Sequence, residues 1–507
     1  MNLRRLAARL RPMKAGAAAL VLTAPLLALT STSAATAVTP RDAVAQEERI
    51  GSLRTIDGSY ILTLAGTQTA AGFTPDGTMT AVRTLLTTAG GTVVNDLSAQ
   101  IGVLSVRATN PDFRALVGAS PLVESVGNDF AVKMYASDAP EPSSDMMEPL
   151  QWDMQQIRTE EAHAIQAGVP AVDVGVLDSG IDGRHPDFTK GLESNVDCAR
   201  GRDSLAALPP GVAIGTPDPC TDNQFHGTHV AGTIGARANG TGIVGVAPNV
   251  TLVPVKVCDT TGYCYAGPVV DGITYAGDEQ LDVINMSFFV DDNEFQESTE
   301  FKCASDPVQR TFRHAVERAI SYARNRGVTP VAALGNSDQD LAHPVGDDGR
   351  PISNECEVVP AETQGVVGTV SLGRDSERAG YSNYGSGMAD VSAPGGNGST
   401  GDCTRTILST VPGGGYACIQ GTSMASPHAA GVAALIVSQF GRLGSDGDVK
   451  LPPQTVENYM QSTAVDIGRP GYDECFGAGR VDALRAVTQD TSAARDESAP
   501  FCPEYDD

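Results

Sequence analysis

A chain of 507 residues, 41% of them hydrophobic, is long enough for two or three domains and a large core. Its formal net charge of −26 argues against nucleic acid and anionic membranes as partners. All ten cysteines lie from Cys198 to Cys502 with no Cys-x-x-Cys pair, which argues against a zinc ribbon and for disulfides.

Residues 1–37 read as a secretory signal peptide. Arg4, Arg5, Arg9, Arg11 and Lys14 form a cationic start, an apolar run follows from Ala15 to Leu29, and Ala35-Thr36-Ala37 supplies a small-residue cleavage site. The apolar run is shorter than the roughly 20 residues of a bilayer span, and no later stretch is long and apolar enough to serve as one. The expected location is therefore extracellular, where an even cysteine count reads as bridges. Connectivity is underdetermined. Proximity in the sequence suggests Cys258–Cys264 and Cys403–Cys418, then Cys198–Cys220, Cys303–Cys356 and Cys475–Cys502.

Residues 38–57 read as a linker. The segment 58–129 then carries a small α+β pattern: strands at Tyr60–Leu64, Thr92–Leu97, Ile101–Ala108 and Leu122–Val126, with helices at Met79–Thr88 and Pro111–Val117. The order β-α-β-β-α-β is the ferredoxin-like arrangement. It contains no catalytic constellation. Pro140, Pro142 and Pro149 break the pattern amid acidic and serine residues, so a second linker and a processing site are expected between about Tyr135 and Pro149.

The remainder, 149–490, reads as α/β. A helix is expected over Gln151–Gln166, with the single tryptophan, Trp152, anchoring its start. Short apolar strands at Val172–Leu177, Thr251–Val257, Val283–Met286, Val328–Leu334 and Val366–Val370 alternate with helical stretches such as Gly267–Ala276 and Arg310–Arg326. That alternation predicts a parallel sheet with helices on both faces. Sites in such sheets lie beyond the carboxyl ends of strands, and Asp178, Ser287 and Asn336 all fall there. Residues 491–507 form an acidic tail.

Three segments carry the chemistry. Gly421-Thr422-Ser423-Met424-Ala425-Ser426-Pro427-His428 precedes an apolar run at helical spacing, with Pro427 suited to a first turn. Ser423 thus stands at a helix N-terminus, where an alkoxide or oxyanion is favoured, but serine needs a base to react. His226 opens His-Gly-Thr-His-Val-Ala-Gly, whose small residues permit close packing behind an imidazole; His229 makes a metal pair conceivable. His163, His185, His314, His343 and His428 have no comparable setting. Asp178 ends an apolar strand in Val-Gly-Val-Leu-Asp-Ser-Gly-Ile, where a carboxylate is also a common turn former.

Together, and in the order Asp, His, Ser, these blocks resemble those of the subtilisin-like serine peptidases, the subtilases, over roughly Pro149 to Val487. The chain order Asp–His–Ser is itself a documented property of subtilisin. The resemblance implies a subtilisin-like catalytic domain, a serine endopeptidase that acts on proteins or peptides as a monomer, and an acyl-enzyme on Ser423. It implies that His226, rather than His229, is the general base, that Asp178 orients it, and that Asn336 in Ala333-Leu334-Gly335-Asn336 is an oxyanion donor. Substrate would be held as an added strand. One edge would be Ser287-Phe288-Phe289, where Phe289 and Val290 replace the usual glycines, with Gly335 close by; the other would be Thr261-Gly262-Tyr263. Asp187 resembles a calcium ligand of the family, joined by Asn239 and the carbonyls of Arg237, Thr241 and Ile243, and oxygen donors suit that ion. Pro360 and Asp390 resemble a second, weaker cation site. Residues 38–148 would be an inhibitory propeptide, making the chain a zymogen. An esterase of the α/β-hydrolase kind would need Gly-x-Ser-x-Gly with the acid after the serine; a metallopeptidase would need His-Glu-x-x-His. Neither pattern is present at these blocks. A catalytically silent binding protein on the same scaffold is disfavoured by the intact Asp178, His226, Asn336 and Ser423.

Overall fold

The computed structural model describes residues 53–134, 147, 150–191, 193–212, 214–289, 306–345, 351, 353, 356–444, 447–500 and 502. The expected signal peptide, most of both linkers, Val290 and Cys303 lie outside them.

The N-terminal elements are β1 (Leu53–Leu64), α1 (Met79–Thr88), β2 (Gly91–Leu97), β3 (Val103–Ala108), α2 (Phe113–Gly118) and β4 (Val123–Lys133). They form an antiparallel sheet in the order β4-β1-β3-β2, the ferredoxin-like order. Two boundaries differ from expectation for physical reasons. β1 begins at Leu53, inside the expected linker, because the β1–β4 register shifts between Thr55 and Tyr60 and resets the alternation. Gly58 sits in that shift at φ +70, where a Cβ would stand 2.9 Å from the Ala108 carbonyl oxygen. β4 continues seven residues past Val126 because Asp129, which reads as a strand end, is buried and bonded: Gly267 N–H donates to its Oδ1 at 3.0 Å. A hairpin of Gly66–Thr69 and Gly72–Pro75 was also not expected.

The second part opens with α3 (Trp152–Gln156) and α4 (Thr159–His163), which replace the single helix expected over 151–166. The break is Arg158, left-handed at φ 57, whose guanidinium forms a bidentate pair with Asp482 at 2.7 Å. Then follow β5 (Asp173–Asp178), β6 (Arg202–Asp203), α5 (His226–Gly235), β7 (Thr251–Lys256), β8 (Tyr263–Tyr265), α6 (Ala266–Asp278), β9 (Val283–Met286), α7 (Pro307–Arg324), β10 (Thr329–Ala333), β11 (Val367–Leu372), β12 (Val391–Pro394), β13 (Ile407–Val411), β14 (Gly415–Ile419), α8 (Thr422–Phe440), α9 (Pro453–Ser462) and α10 (Ala483–Thr488). Seven strands pair in parallel in the order β6-β7-β5-β9-β10-β11-β12. The strand order reverses at β5, the kind of switch point at which α/β sheets bind ligands.

The strands are buried on both faces, and alternate residues serve opposite layers. Leu177, Val253, Val255 and Ile284 pack with α6 and α7. Val174, Val176, Leu252 and Val283 pack with α5 and α8. Both α5 and α8 are apolar or small nearly all round, as suits helices enclosed by a sheet and its connections. The N-terminal sheet joins the α6–α7 layer: Ile61, Val103, Phe130 and Val132 share that apolar cluster, and Phe130 meets Phe312 edge-on at 5.3 Å. One small sheet is continuous across the junction. β4 pairs antiparallel with β8, matching Lys133 with Tyr263 and Ala131 with Tyr265.

Four bridges connect described cysteines as proximity suggested: Cys198–Cys220, Cys258–Cys264, Cys403–Cys418 and Cys475–Cys502. Cys356 is also disulfide-bonded. The start of the expected acidic tail is tied down: Asp466 N–H donates to the Ala494 carbonyl, and Arg480 reaches Asp496. No described helix is long and apolar enough to cross a membrane.

Two predictions follow from buried charges. His428, on α8, places Nε2 2.9 Å from Asp153 Oδ2 and Nδ1 2.8 Å from the Met424 carbonyl, with both side chains inaccessible to solvent. His428→Ala strands a buried carboxylate and is expected to cost about 3–5 kcal/mol; Asp153→Ala with His428→Leu should cost less than either single change in urea unfolding. Burial pushes the Asp129 carboxyl up to about 6, so the packed form holds its proton more readily than the solvated one. That stabilisation is complete below the ordinary carboxylate range and is lost as pH rises through about 6. Asp129→Asn should flatten this part of the stability–pH profile relative to the parent chain.

Candidate active site

The site is assembled at the carboxyl ends of β5, β9 and β10 and at the starts of α5 and α8. Asp178 is the last residue of β5, and His226 is the first of α5. The imidazole Nδ1 lies 3.0 Å from both Asp178 carboxylate oxygens. A carboxylate accepts only, so Nδ1 carries the hydrogen and Nε2 is the ring's basic nitrogen. Asp178 Oδ1 also accepts from Ser179 N–H at 2.8 Å. Gly227 explains the small residues behind the imidazole: a Cβ there would stand 2.1 Å from the Gly180 carbonyl oxygen.

A second carboxylate, Asp222, organises the same corner and was not singled out in the sequence. It is buried, and its oxygens accept from Ser179 Oγ, Gln224 N–H, and the N–H and hydroxyl of Thr228 at 2.7–3.0 Å. Ser179 Oγ in turn accepts from Gly227 N–H. β5 and the first turn of α5 are thereby joined through one side chain. Burial raises the Asp222 carboxyl, despite these donors, and nearby Asp178 adds to that. Its spacing from His226 is local, but Asp-x-x-x-His alone does not distinguish a loop carboxylate from a structural hub.

His229 is set apart by its surroundings. It is fully buried, with Nε2 3.2 and 3.1 Å from the Ile407 and Ala417 carbonyls. Burial holds its pKa down to about 3. It is a neutral packing group, and among the described residues no three His, Cys, Asp or Glu side chains converge on a metal position.

Ser423 is the second residue of α8, which begins at Thr422. Pro427 therefore lies beyond the first turn, contrary to the expected placement, and cannot donate to the carbonyl four residues back. That carbonyl belongs to Ser423, and Ser287 Oγ supplies the missing hydrogen bond at 2.8 Å. Ser423 Oγ donates to the Ser287 carbonyl at 3.0 Å. Asn285 Nδ2 donates to Ser287 Oγ, and Ser426 Oγ donates to Asn285 Oδ1. The Ser423 N–H lies in the first turn, where no intrahelical carbonyl reaches it.

Asn336 follows β10 on an exposed turn. Thr422 N–H and hydroxyl each stand 2.9 Å from one end of its side-chain amide. A backbone N–H only donates, so that end is the oxygen and the NH2 is the end turned away from Thr422. Gly335, beside it, takes φ +109 and donates its N–H to Thr422 Oγ1 at 3.2 Å.

The residues expected to hold substrate are covered. Ser287 and Phe288 are inaccessible and Phe289 is 5% exposed. Phe288 and Phe289 share an apolar cluster with Phe130, Val132 and Met134 of the N-terminal part. Tyr263 pairs with β4, the Thr261 carbonyl accepts from Lys133 Nζ, and the Gly262 carbonyl accepts from Met134 N–H at 2.6 Å. That loop is tightly built: Asp259 Oδ1 accepts from Thr261 N–H, Thr261 Oγ1 and Tyr263 N–H, and Cys258–Cys264 closes it.

Asp187 sits inside a loop that curls around it. Ile243 N–H donates to Oδ2 at 3.0 Å and Arg237 N–H to its carbonyl at 2.7 Å. Oδ1 is buried without a partner, and burial pushes the carboxyl up to about 6. Asn239 turns its NH2 to the Pro186 and Thr189 carbonyls, and its oxygen accepts from Thr241 N–H. An orphaned buried oxygen within an oxygen-rich loop fits a hard cation. Asp390 differs: Gly368 N–H and Gln461 Nε2 occupy its two oxygens, so neither is orphaned.

Residues 170–479 match the family described as Peptidase_S8, the subtilase family. Subtilisin NAT of Bacillus subtilis subsp. natto is 31% identical over 370 residues, covering 72% of this chain and 76% of its own length. The alkaline protease of Alkalihalobacillus alcalophilus is 31% identical over 388 residues, 76% of this chain and 80% of its own. Among solved structures, the epidermin leader peptide processing serine protease of Staphylococcus aureus superposes with a TM-score of 0.64 at 21% identity, covering 85% of this chain and 97% of that one, a likeness of fold. A lanthipeptide protease superposes at 0.52 with 26% identity, over 67% of this chain and 94% of that one. The chain belongs to the subtilase family and is a subtilisin-like serine endopeptidase.

Proposed function

We propose that this endopeptidase is exported, is made as a self-inhibited precursor, and cleaves peptide bonds through an acyl-enzyme on Ser423. The observation that carries the reading is the Asp178–His226 pair, with Nδ1 committed to the carboxylate so that Nε2 is the base. The Ser423 hydroxyl proton passes to Nε2 as Oγ attacks the substrate carbonyl, and Asp178 stabilises the imidazolium. The tetrahedral oxyanion takes hydrogen bonds from the Ser423 N–H and the outward NH2 of Asn336. His226 returns its proton to the leaving amine, and water then hydrolyses the ester by the same relay.

Self-inhibition is supported by where the N-terminal part lies. β4 occupies the edge at Tyr263–Tyr265 as an added strand, and Met134 extends the pairing to Gly262. We assign residues 38–148 to a propeptide, and 149–490 to the catalytic domain. Export is supported by the signal-like N-terminus and by the bridged cysteines. We propose a structural calcium ion at Asp187, with Asn239 and the carbonyls of Arg237, Thr241 and Ile243 as further oxygen donors. It would neutralise the buried carboxylate and brace the loop, and no chemical step passes through it.

Ser423→Ala should abolish release of peptides from a mixed protein substrate while leaving the fold intact, and retained hydrolysis would remove Ser423 from the mechanism. Asn336→Ala should lower kcat by about two to three orders of magnitude with little change in KM, the magnitude being that known for subtilisin rather than one drawn from this geometry. Calcium predicts a fall in Tm on chelation that is absent in Asp187→Asn; an unchanged Tm in the parent chain would eliminate the ion.

A further inference from the structure

An amide that stabilises an oxyanion has to be held close to its working geometry, yet Asn336 stands on an exposed turn. Beside Thr422, the turn is held by the buried Asn383, which is 3% exposed. Its backbone N–H donates to the Gly335 carbonyl at 3.0 Å. Its Nδ2 donates to the Leu334 carbonyl at 3.1 Å, and its Oδ1 accepts from Ser337 N–H at 2.9 Å and Gln339 N–H at 3.1 Å. Asn383 thus grips the backbone on both sides of Asn336. The orientation of its amide is unambiguous, since two N–H groups face one end and a carbonyl faces the other.

Gly335 is shaped to the same contact. At φ +109 a side chain is strained, and a Cβ there would stand 2.4 Å from Asn383 Nδ2. Thr422 holds the Asn336 side chain from the helix, while Asn383 holds the backbone that precedes and follows it. Aspartate at 383 would set an oxygen against the Leu334 carbonyl, and serine is too short to span both ends. Only a short amide offers a donor and a double acceptor in one plane at this reach.

We propose that Asn383 is a positioning residue for the oxyanion hole: it touches no substrate atom and acts by fixing the turn from which Asn336 donates. The proposal rests on the reading of Asn336 as oxyanion donor. Its consequence is selective. Loss of Asn383 should leave ground-state binding intact and weaken only what the amide does in the transition state, because a misplacement near 1 Å can cost about 10²-fold.

The test is a double-mutant cycle on the full chain, with Asn336→Ala, Asn383→Ala and both together. The readouts are kcat and KM on a peptide amide, and the Ki of a peptide boronate that forms a tetrahedral adduct. Asn383→Ala is expected to lower kcat about 10- to 100-fold with KM within about twofold, to raise the boronate Ki in proportion, and to lose this effect in the Asn336→Ala background. Asn383→Ser, retaining one acceptor, should fall between; it carries the cycle if the alanine variant does not melt as a folded protein. A loss from the Asn383 change that persists undiminished in the Asn336→Ala background, or an unchanged boronate Ki, would overturn the proposal. Full kcat in Asn336→Ala alone would strike the oxyanion reading beneath it.

Discussion

One helical turn, Thr422 to Ser426, ties the site together. Within it, Thr422 holds Gly335 and Asn336 from β10, Ser423 exchanges hydrogen bonds with Ser287 after β9, and Ser426 holds Asn285 within β9. The turn can do this because Pro427 withholds one backbone N–H and so opens the Ser423 carbonyl to a side chain from another element. Ser423 is therefore placed by Ser287 as much as by its own helix. The helix itself is enclosed by layers of apolar side chains.

Polar groups in this region follow one rule. A buried polar group is tolerated where it is bonded to a partner that cannot leave. Asp222 meets it with four donors, and His229 is shared between two carbonyls. Asp187 departs from it, with one carboxylate oxygen unmet and its carboxyl raised by burial, and so does His229 at Nδ1, on a ring that burial keeps neutral. A carboxylate oxygen with no donor suits a hard cation and a neutral imidazole does not, although a pair of histidines three residues apart looks more like a metal motif in the sequence.

Much of this was legible in the sequence, for local reasons. Short apolar runs marked β5, β7, β9, β10 and β11, because a strand buried on both faces cannot hide its composition. The segments around Asp178, His226 and Ser423 were legible because they carry the small residues that close packing requires, such as Gly227 behind His226. The rest depended on contacts between distant positions. Asp222, Thr422, Ser287 as a brace, and Asn383 each act on residues from another element, and nothing in the spacing of a single chain reports such a partner. Breaks in regularity misled in the same way. The bulge at Gly58 hid the start of β1, and the Arg158–Asp482 pair split a helix that periodicity would run straight through.

The three-residue strand β8 has a single sheet neighbour among the described residues, and that neighbour is β4. Were β4 to withdraw, the edge it covers would lose its partner, while Tyr263 and Tyr265 stayed bonded to Asp259 and Val257 on the other side and the Cys258–Cys264 crosslink closed the loop. An open edge of that kind pairs with any extended backbone that arrives. As long as β4 remains in the same chain it competes at the high effective concentration of a tether, which a free peptide in solution cannot match. Severing the chain would replace that advantage with ordinary dilution, so the accessibility of the edge would come to depend on how much protein is present.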